Sequence, residues 1–398
     1  MGEAETYRSV SLFRSIGSKG TPTSGLLTSE QLISRILDPA DTFSTYLKEI
    51  NIEDWTAEQD GDEVLCKILN RLEGLESLGW NSTSPIPKNV LSLVHSRFSN
   101  ARLYVSNTSR GLATEGSYDM SMDLDLLASP QLYSLEYTVL CQSPTTNISE
   151  FPVITQILLQ SSKLRVLRLA CVSDSRFQFE DYQSKYATFG TDGTGPFNLS
   201  LKAGDKFPPL DQLAFISPTD VSSTDDFSPH LYCLSRDHCL FMKDSIDLSK
   251  LRTLDLGRNS SHVFFAELAG CVPNLKSLSF SILNPSISHQ SPGYIQSVTT
   301  EFLEPLSDLQ ELHIHNQSMQ YYPKLWPIIQ RHASTLQKLS MDVPEIQIDD
   351  KPKVPTSSGF QFPDVLSGWR RIGKPDVQQP SEEEIIYDHS IQVGTNSH

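Results

Sequence analysis

Nine segments of the chain repeat one pattern of six residues, in which the first, fourth and sixth positions are apolar. In an extended strand the fourth and sixth side chains point to one side and the fifth points to the other. Each unit therefore predicts a short strand with one buried face. A weaker copy, NARLYV from Asn100, keeps only the second and third apolar positions. The nine units are LKEINI from Leu47, LESLGW from Leu75, LYSLEY from Leu132, LRVLRL from Leu164, LDQLAF from Leu210, LRTLDL from Leu251, LKSLSF from Leu275, LQELHI from Leu309 and LQKLSM from Leu336.

The segments between several units are typical of amphipathic helices, because apolar residues recur in them at spacings of three and four. These segments are PKNVLSLVHSRF, FPVITQILLQSS, HVFFAELAGCV, VTTEFLEPL and YPKLWPIIQRHA. Parallel strands need such crossover connections, and stacked units merge their leucine rows into one core. The sequence therefore predicts an α/β fold, an irregular leucine-rich-repeat solenoid. We expect a horseshoe with the parallel strands on its concave face and the helices outside.

Some parts of the chain depart from the repeat pattern. Residues 1–41 predict a flexible tail and an N-terminal capping helix at EQLISRIL, ahead of a repeat array over residues 42–345. Within the array, residues 172–208 and 217–247 predict insertions, which repeat proteins place as loops on one face. Residues 346–398 predict a C-terminal cap and a polar tail.

The chain is acidic, with 48 Asp and Glu against 32 Lys and Arg and a formal net charge of −16. This charge repels phosphate backbones and anionic lipids, so we expect neither nucleic acid nor membrane as a partner, and a basic protein surface fits better. The sequence contains no 18-residue apolar run and no signal-peptide core, and its six cysteines are scattered. These features predict an intracellular protein with reduced thiols, in the cytoplasm, the nucleus or both.

Two stretches carry a resemblance to a known family. MKDSIDLSKLRTLDLG with the following ELAGCVPNLKSLSF, and LEGLESLGWNSTSPIP, are similar to the repeats of fungal F-box/leucine-rich-repeat proteins. The resemblance implies a substrate receptor of an SCF-type ubiquitin ligase, in which an F-box binds the Skp1 adaptor and the repeats capture a target protein. Only EQLISRILDP resembles a fragment of an F-box helix, so Skp1 and cullin are expected partners if an F-box is present upstream.

The stretch LQELHIHN places His313 and His315 on the same outward side of a predicted strand. Two histidines so arranged can bind one metal ion, but further ligands must come from neighbouring strands. The repeat alignment predicts Ser279 and Ser340 beside His313, and Ser281 and Asp342 beside His315. Serines are poor ligands, so the pattern favours a contact pair on a binding surface over a metal site.

Other candidate motifs give weaker signals. HLYCLSRDHC has histidines and cysteines without the spacing of a common zinc site, and GTDGTG lacks the lysine of a phosphate-binding loop. Asp119, Asp123 and Asp125 lack the glycine and glutamate of a calcium loop. No motif of a nucleophilic or metal-dependent enzyme is present. We therefore expect a protein that is not an enzyme and uses no cofactor.

The outward positions of successive strands vary in charge and chemistry, as they do on a protein-recognition surface. The sequence therefore predicts a non-catalytic protein–protein interaction module, the substrate-recognition part of an F-box-type receptor. The alternatives are a repeat scaffold without a role in ubiquitin transfer and, with less support, a metal-dependent enzyme that uses the histidine pair. The predicted partner-binding residues are Glu136, Arg168, Thr253, Asp255, Glu311, His313, His315, Lys338 and Asp342.

Overall fold

In a computed structural model the chain forms two compact units. The first unit comprises Met1–Tyr232 and Phe241–Asp247. The second unit comprises Cys233–Leu240 and Leu248–His398. The structure describes residues 9–13, 29–53, 55, 61–82, 84–107, 122–140, 149–174, 198–216, 227–230, 232, 234–257, 261–282, 291–316 and 322–342. Within these ranges, no helix combines the length and apolar character needed to cross a membrane.

The first unit is built on a parallel sheet whose strands follow one another in chain order. An additional strand, β8, pairs with β6 in the antiparallel direction. The strands are β1 (Ser9–Phe13), β2 (Glu49–Glu53), β3 (Ser77–Asn81), β4 (Arg102–Asn107), β5 (Leu132–Leu140), β6 (Val166–Asp174), β7 (Gln212–Ile216) and β8 (Phe227–His230).

Helices connect successive strands from β1 to β6 of this sheet, as parallel pairing requires. Two of them, α4 and α6, form in segments whose apolar spacing predicted helices. The residues of α7 are divided between the two units. The helices are α1 (Ser29–Leu37), α2 (Phe43–Tyr46), α3 (Gly61–Arg71), α4 (Lys88–Arg97), α5 (Leu124–Leu127), α6 (Phe151–Gln160) and α7 (Arg236–Ser245).

The second unit repeats the arrangement with four parallel strands in the order β9-β10-β11-β12. A short 3-10 turn, Leu248–Lys250, precedes the first strand. Three predicted helices form between the strands. The elements are β9 (Thr253–Asp255), α8 (Ser261–Leu268), β10 (Ser277–Ile282), α9 (Pro292–Leu303), β11 (Glu311–Asn316), α10 (Tyr322–Arg331) and β12 (Lys338–Asp342).

The six-residue unit sets the strand register in both units of the chain. In the second unit the fourth positions stand opposite one another, so that Leu254 pairs with Leu278, Leu278 with Leu312, and Leu312 with Leu339. The first unit follows the same rule, with Ile50 opposite Leu78. The α/β architecture of parallel strands with interleaved helices is thus confirmed.

A recurring main-chain contact links each unit to the next. The carbonyl oxygen of Lys276, at the second position of its unit, accepts hydrogen bonds from the N–H groups of both Gln310 and Glu311. The carbonyl of Gln310 in turn accepts from Gln337 and Lys338. Equivalent pairs occur in the first unit. Because the same two donors and one acceptor recur, neighbouring strands start at the same height, and their outward side chains form straight rows.

The core of the second unit lies between the leucine rows and the helices. Leu254, Leu278 and Leu312 are completely buried. Phe265 of α8 packs edge-on against Phe280 of β10, with ring centroids 5.0 Å apart. Burial of this kind stabilises by about 25 cal/mol for each Å² of apolar surface removed from water, and it fixes which face of the strands remains outside.

The amino-terminal region differs from the sequence-based expectation. Ser9–Phe13 was predicted within a flexible tail, but it forms β1 and pairs with β2. Val10 and Leu12 stand opposite Ile50 and Ile52, and all four side chains are buried. The predicted helix at EQLISRIL is α1. Residues 1–8 lie outside the described residues.

The predicted insertions contain ordered elements. The region 172–208 begins with the end of β6, and its last residues pack into the core, where Leu199 and Leu201 are completely buried. The main-chain N–H of Leu199 donates to the hydroxyl of Tyr232 over 2.9 Å. The region 217–247 includes β8 and α7. The GTDGTG stretch and the predicted tail over residues 346–398 lie outside the described residues.

Candidate protein-binding face

The outward side of strands β9 to β12 in the second unit carries polar side chains in straight rows. Leu312 and Ile314 of β11 point into the core, so Glu311, His313 and His315 point the other way and are half-buried. The same alternation applies to β9, β12 and the first four residues of β10, while Ser281 at the next outward position of β10 is buried. We call this set the histidine face, formed by Thr253, Asp255, Ser277, Ser279, Glu311, His313, His315, Lys338 and Ser340.

The cross-strand neighbours of the two histidines are those that the repeat alignment predicted. His313 stands between Ser279 on β10 and Ser340 on β12. His315 stands between Ser281 and Asp342 in backbone register, although the side chain of Asp342 lies outside the described part of the structure. The structure therefore brings together seven of the nine predicted residues in one unit, with Asp342 placed by its backbone.

Hydrogen bonds between strands hold part of this face in place. The hydroxyl of Ser277 donates to Oε2 of Glu311 over 3.0 Å. Oγ of Ser279 and Nε2 of His315 are 3.3 Å apart, a diagonal contact within hydrogen-bond distance. On β9, Oδ1 of Asp255 accepts from the N–H of Gly257 over 2.8 Å. These contacts restrict the side chains before any partner arrives.

The surroundings of His313 disfavour its charged form. Partial burial is the main cause that lowers the pKa of His313 below its ordinary value, and the charge of Lys338 lowers it further. Glu311 and Asp255 act in the opposite direction. A neutral imidazole offers one donor and one acceptor, so His313 can bind both kinds of polar group.

The described residues do not support a metal centre. Among them, no three His, Cys, Asp or Glu side chains are grouped so that they could hold a metal ion. In the HLYCLSRDHC stretch, His238 and Cys239 lie completely buried in α7. Cys233 and the side chain of His230 are outside the described residues, as is Asp119.

A small recess lies at the carboxyl ends of β3, β4 and β5, with Trp80, Asp123 and Tyr137 among its lining residues. This edge of a parallel sheet often binds ligands. However, Oδ1 of Asp123 accepts from the N–H of Leu126 and caps α5, and Oδ2 accepts from the N–H of Ile86. Asp123 therefore has a structural role at the edge of this recess.

The two remaining predicted residues, Glu136 and Arg168, belong to the first unit. They stand directly opposite each other on β5 and β6, and Oε2 of Glu136 lies 3.2 Å from Nε of Arg168. Both side chains are about one-third exposed. A pair this accessible stabilises the fold by at most about 1 kcal/mol, so the two charges remain available for a partner.

The first unit also contains a cluster that the sequence reasoning missed. Tyr104 of β4 and Tyr133 of β5 place their ring centroids 5.4 Å apart, and the guanidinium carbon of Arg102 lies 4.7 Å from the centroid of Tyr133. We call these three residues the aromatic cluster. The only signal in the sequence was the occurrence of Arg and Tyr at outward positions of the weak copy NARLYV.

Comparisons with protein-family models and with curated proteins find no match to this chain.

Proposed function

We propose that this protein is a non-catalytic recognition module of the leucine-rich-repeat type, which binds another protein through the histidine face. The observation that carries the proposal is the register of β9 to β12. It sets acidic, basic, hydroxyl and imidazole groups side by side in straight rows on a regular sheet.

A rigid scaffold with varied outward groups suits recognition for a physical reason. Binding orders side chains at an interface, and each long side chain that must be fixed costs about 0.5–1.5 kcal/mol. Glu311 and His315 already contact serines on the neighbouring strand, so their side chains are partly ordered before binding and lose less entropy when a partner binds. The mixture of charges then selects among partners, because an unmatched charge at an interface is penalised.

The similarity of the repeats to fungal F-box proteins extends the proposal. In such a protein the repeats would capture the target of an SCF-type ubiquitin ligase, and an upstream F-box would recruit Skp1 and cullin. Co-purification of Skp1 and cullin with the chain, tested with and without its upstream coding sequence, separates this receptor from a scaffold. Absence of both proteins from both samples would contradict the receptor and favour the scaffold.

The histidine face can be tested by affinity capture from cell extract, followed by binding measurements with the purified partner. We expect the double variant His313→Ala/His315→Ala to weaken binding by about tenfold or more, as loss of a central interface contact does. The matched control is Glu301→Ala, which truncates an exposed side chain of α9 in the same unit. Equal binding by the wild type and both variants would contradict the proposal.

The metal-dependent alternative has its own measurement. An enzyme that used the histidine pair would carry stoichiometric metal after purification, and it would lose that metal in the double variant. Elemental analysis of the wild type and the variant therefore distinguishes this alternative from a recognition module.

A further inference from the structure

We propose that the aromatic cluster of Arg102, Tyr104 and Tyr133 is a second protein-binding site, which takes an acidic side chain from an extended segment of a partner. The cluster belongs to the first unit and shares no residue with the histidine face. The proposal therefore goes beyond the function assigned to that face, and the two can fail separately.

A β-bulge brings the three side chains of the aromatic cluster together. Leu103 pairs with Leu132, but the next residue, Tyr104, pairs with Ser134, so that Tyr133 is the extra residue on β5. The bulge turns the ring of Tyr133 towards β4, where it lies at 47° to the ring of Tyr104. Bulges commonly redirect a side chain in this way and recur next to functional sites. The strand thus departs from regular pairing at the place where the three side chains meet.

Arg102 differs from two other arginines of this unit, whose guanidinium groups bind main-chain carbonyls. Arg97 donates hydrogen bonds to the main-chain carbonyls of Asn70 and Leu72, and Arg165 donates to the carbonyl of Leu164, so both are tied to the backbone. Arg102 is exposed and is held by aromatic side chains. A hydrogen bond with Tyr104 is the main cause that raises the pKa of Arg102 above its ordinary value. The guanidinium therefore lies against the tyrosine rings, and like any arginine side chain it is charged.

The cross-strand neighbours of the cluster among the described residues are small. The residues opposite Arg102 and Tyr104 on β3 are Ser77 and Gly79, and Ser134 stands opposite Tyr104 on β5. All three are small and uncharged, so they do not cover the rings from the side. A guanidinium has five N–H donors in a planar fork that matches a carboxylate, and the tyrosine rings offer rigid apolar area beside it.

The negative charges around the aromatic cluster restrict which partner segments can bind to it. Glu49 and Glu53 of β2 are half-buried on the same side of the sheet, and the chain as a whole carries a net charge of −16. These charges repel a strongly acidic partner. Glu76 also interacts with Arg102 and adds negative potential near it. The matching segment therefore carries one Asp or Glu among uncharged or basic residues.

The test uses the full chain and a random twelve-residue peptide library displayed on phage. Enriched peptides are synthesised, and their dissociation constants are measured with the wild type and with Arg102→Gln, Arg102→Lys and Tyr133→Ala. We expect the enriched peptides to share a single acidic residue. Arg102→Gln should weaken their binding by about tenfold or more, and Arg102→Lys should weaken it less, because the charge remains while the planar fork is lost.

Two controls identify the contact. Replacing the acidic residue of the peptide by its amide should weaken binding by the same factor as Arg102→Gln. The two changes together should weaken binding little more than either change alone. Arg35→Gln, on α1, and His313→Ala/His315→Ala should leave peptide binding unchanged. The proposal is overturned if no peptide is enriched, if the enriched peptides lack an acidic residue, or if Arg102→Gln binds them as tightly as the wild type.

Discussion

The side-chain amide of Asn51 on β2 lies directly over Gly79 on β3, its cross-strand neighbour. A methyl group added to Gly79 would overlap Oδ1 of Asn51 and would touch its Cγ. The glycine is therefore needed for space at this position, since it lets the amide rest on the backbone of the next strand.

This contact predicts a coupled pair of substitutions. Gly79→Ala should destabilise the protein by about 1 kcal/mol, at the low end for overpacking, because the amide is the mobile end of a short side chain and can move aside. In an Asn51→Ala background the same change should be neutral or slightly stabilising, because the obstacle is gone and alanine reduces the entropy of the unfolded chain. Urea unfolding of the four proteins measures the coupling, and additive effects would contradict the overlap.

The sequence predicted the register of strands β9 to β12 because the leucine spacing is regular there. Leu312 could be aligned with Leu278 and Leu339 by counting, and that alignment also placed His313 and His315 beside the correct neighbours. Burial determines this outcome, since a slip by one residue would turn every leucine to solvent. Regular apolar spacing is thus sufficient to position an outward side chain.

Alignment by leucine spacing failed where the repeat pattern is incomplete or where the pairing of two strands is irregular. The strand β1 has only Val10 and Leu12 as core residues, and a tyrosine, Tyr7, stands where the other units have leucine. Tyr133 occupies the second position of LYSLEY, which elsewhere precedes the strand, and only the bulge brings it beside Tyr104. Such a shift depends on how two strands meet, and periodicity along one strand does not encode it.

The protonation of His313 should respond in opposite directions to two neighbouring substitutions. Lys338→Met removes a positive charge that disfavours the imidazolium, so the pKa of His313 should rise; Glu311→Gln removes a negative charge that favours it, so the pKa should fall. Both should stay below the ordinary value of about 6.5, since partial burial is the larger cause. NMR titration of the imidazole protons measures each value, and shifts of the same sign in both variants would contradict the assignment.

The folded protein should lose stability as the pH falls below about 6.5. Burial lowers the pKa of His95, His262, His313 and His332 in the folded state. Between each lowered pKa and the ordinary one, the unfolded chain binds a proton that the folded chain does not, so the free energy of unfolding rises with pH in that window. The stability is fully present above the unfolded pKa and is lost as the pH falls towards the folded values.

His332, which directly follows α10 and is buried, provides the test of this pH dependence. His332→Gln removes one titrating group, so the difference in urea midpoint between pH 7.5 and pH 5.0 should be smaller than in the wild type. His262→Gln gives a second measurement at a half-buried site on α8. If both variants show the same difference in urea midpoint as the wild type, these histidines do not cause the loss of stability at low pH.

The leucine rows should contribute much more stability than the outward residues beside them. Leu312 is completely buried, with Leu278 and Leu339 as its cross-strand neighbours. Leu312→Ala should therefore cost about 2–5 kcal/mol, which combines lost transfer energy and the cavity that remains. The adjacent Glu311→Ala should cost less than about 1 kcal/mol, because that side chain is half-exposed and loses one hydrogen bond to Ser277. Chemical unfolding of the two variants measures the contrast; equal losses would mean that the strand does not direct these side chains to opposite faces.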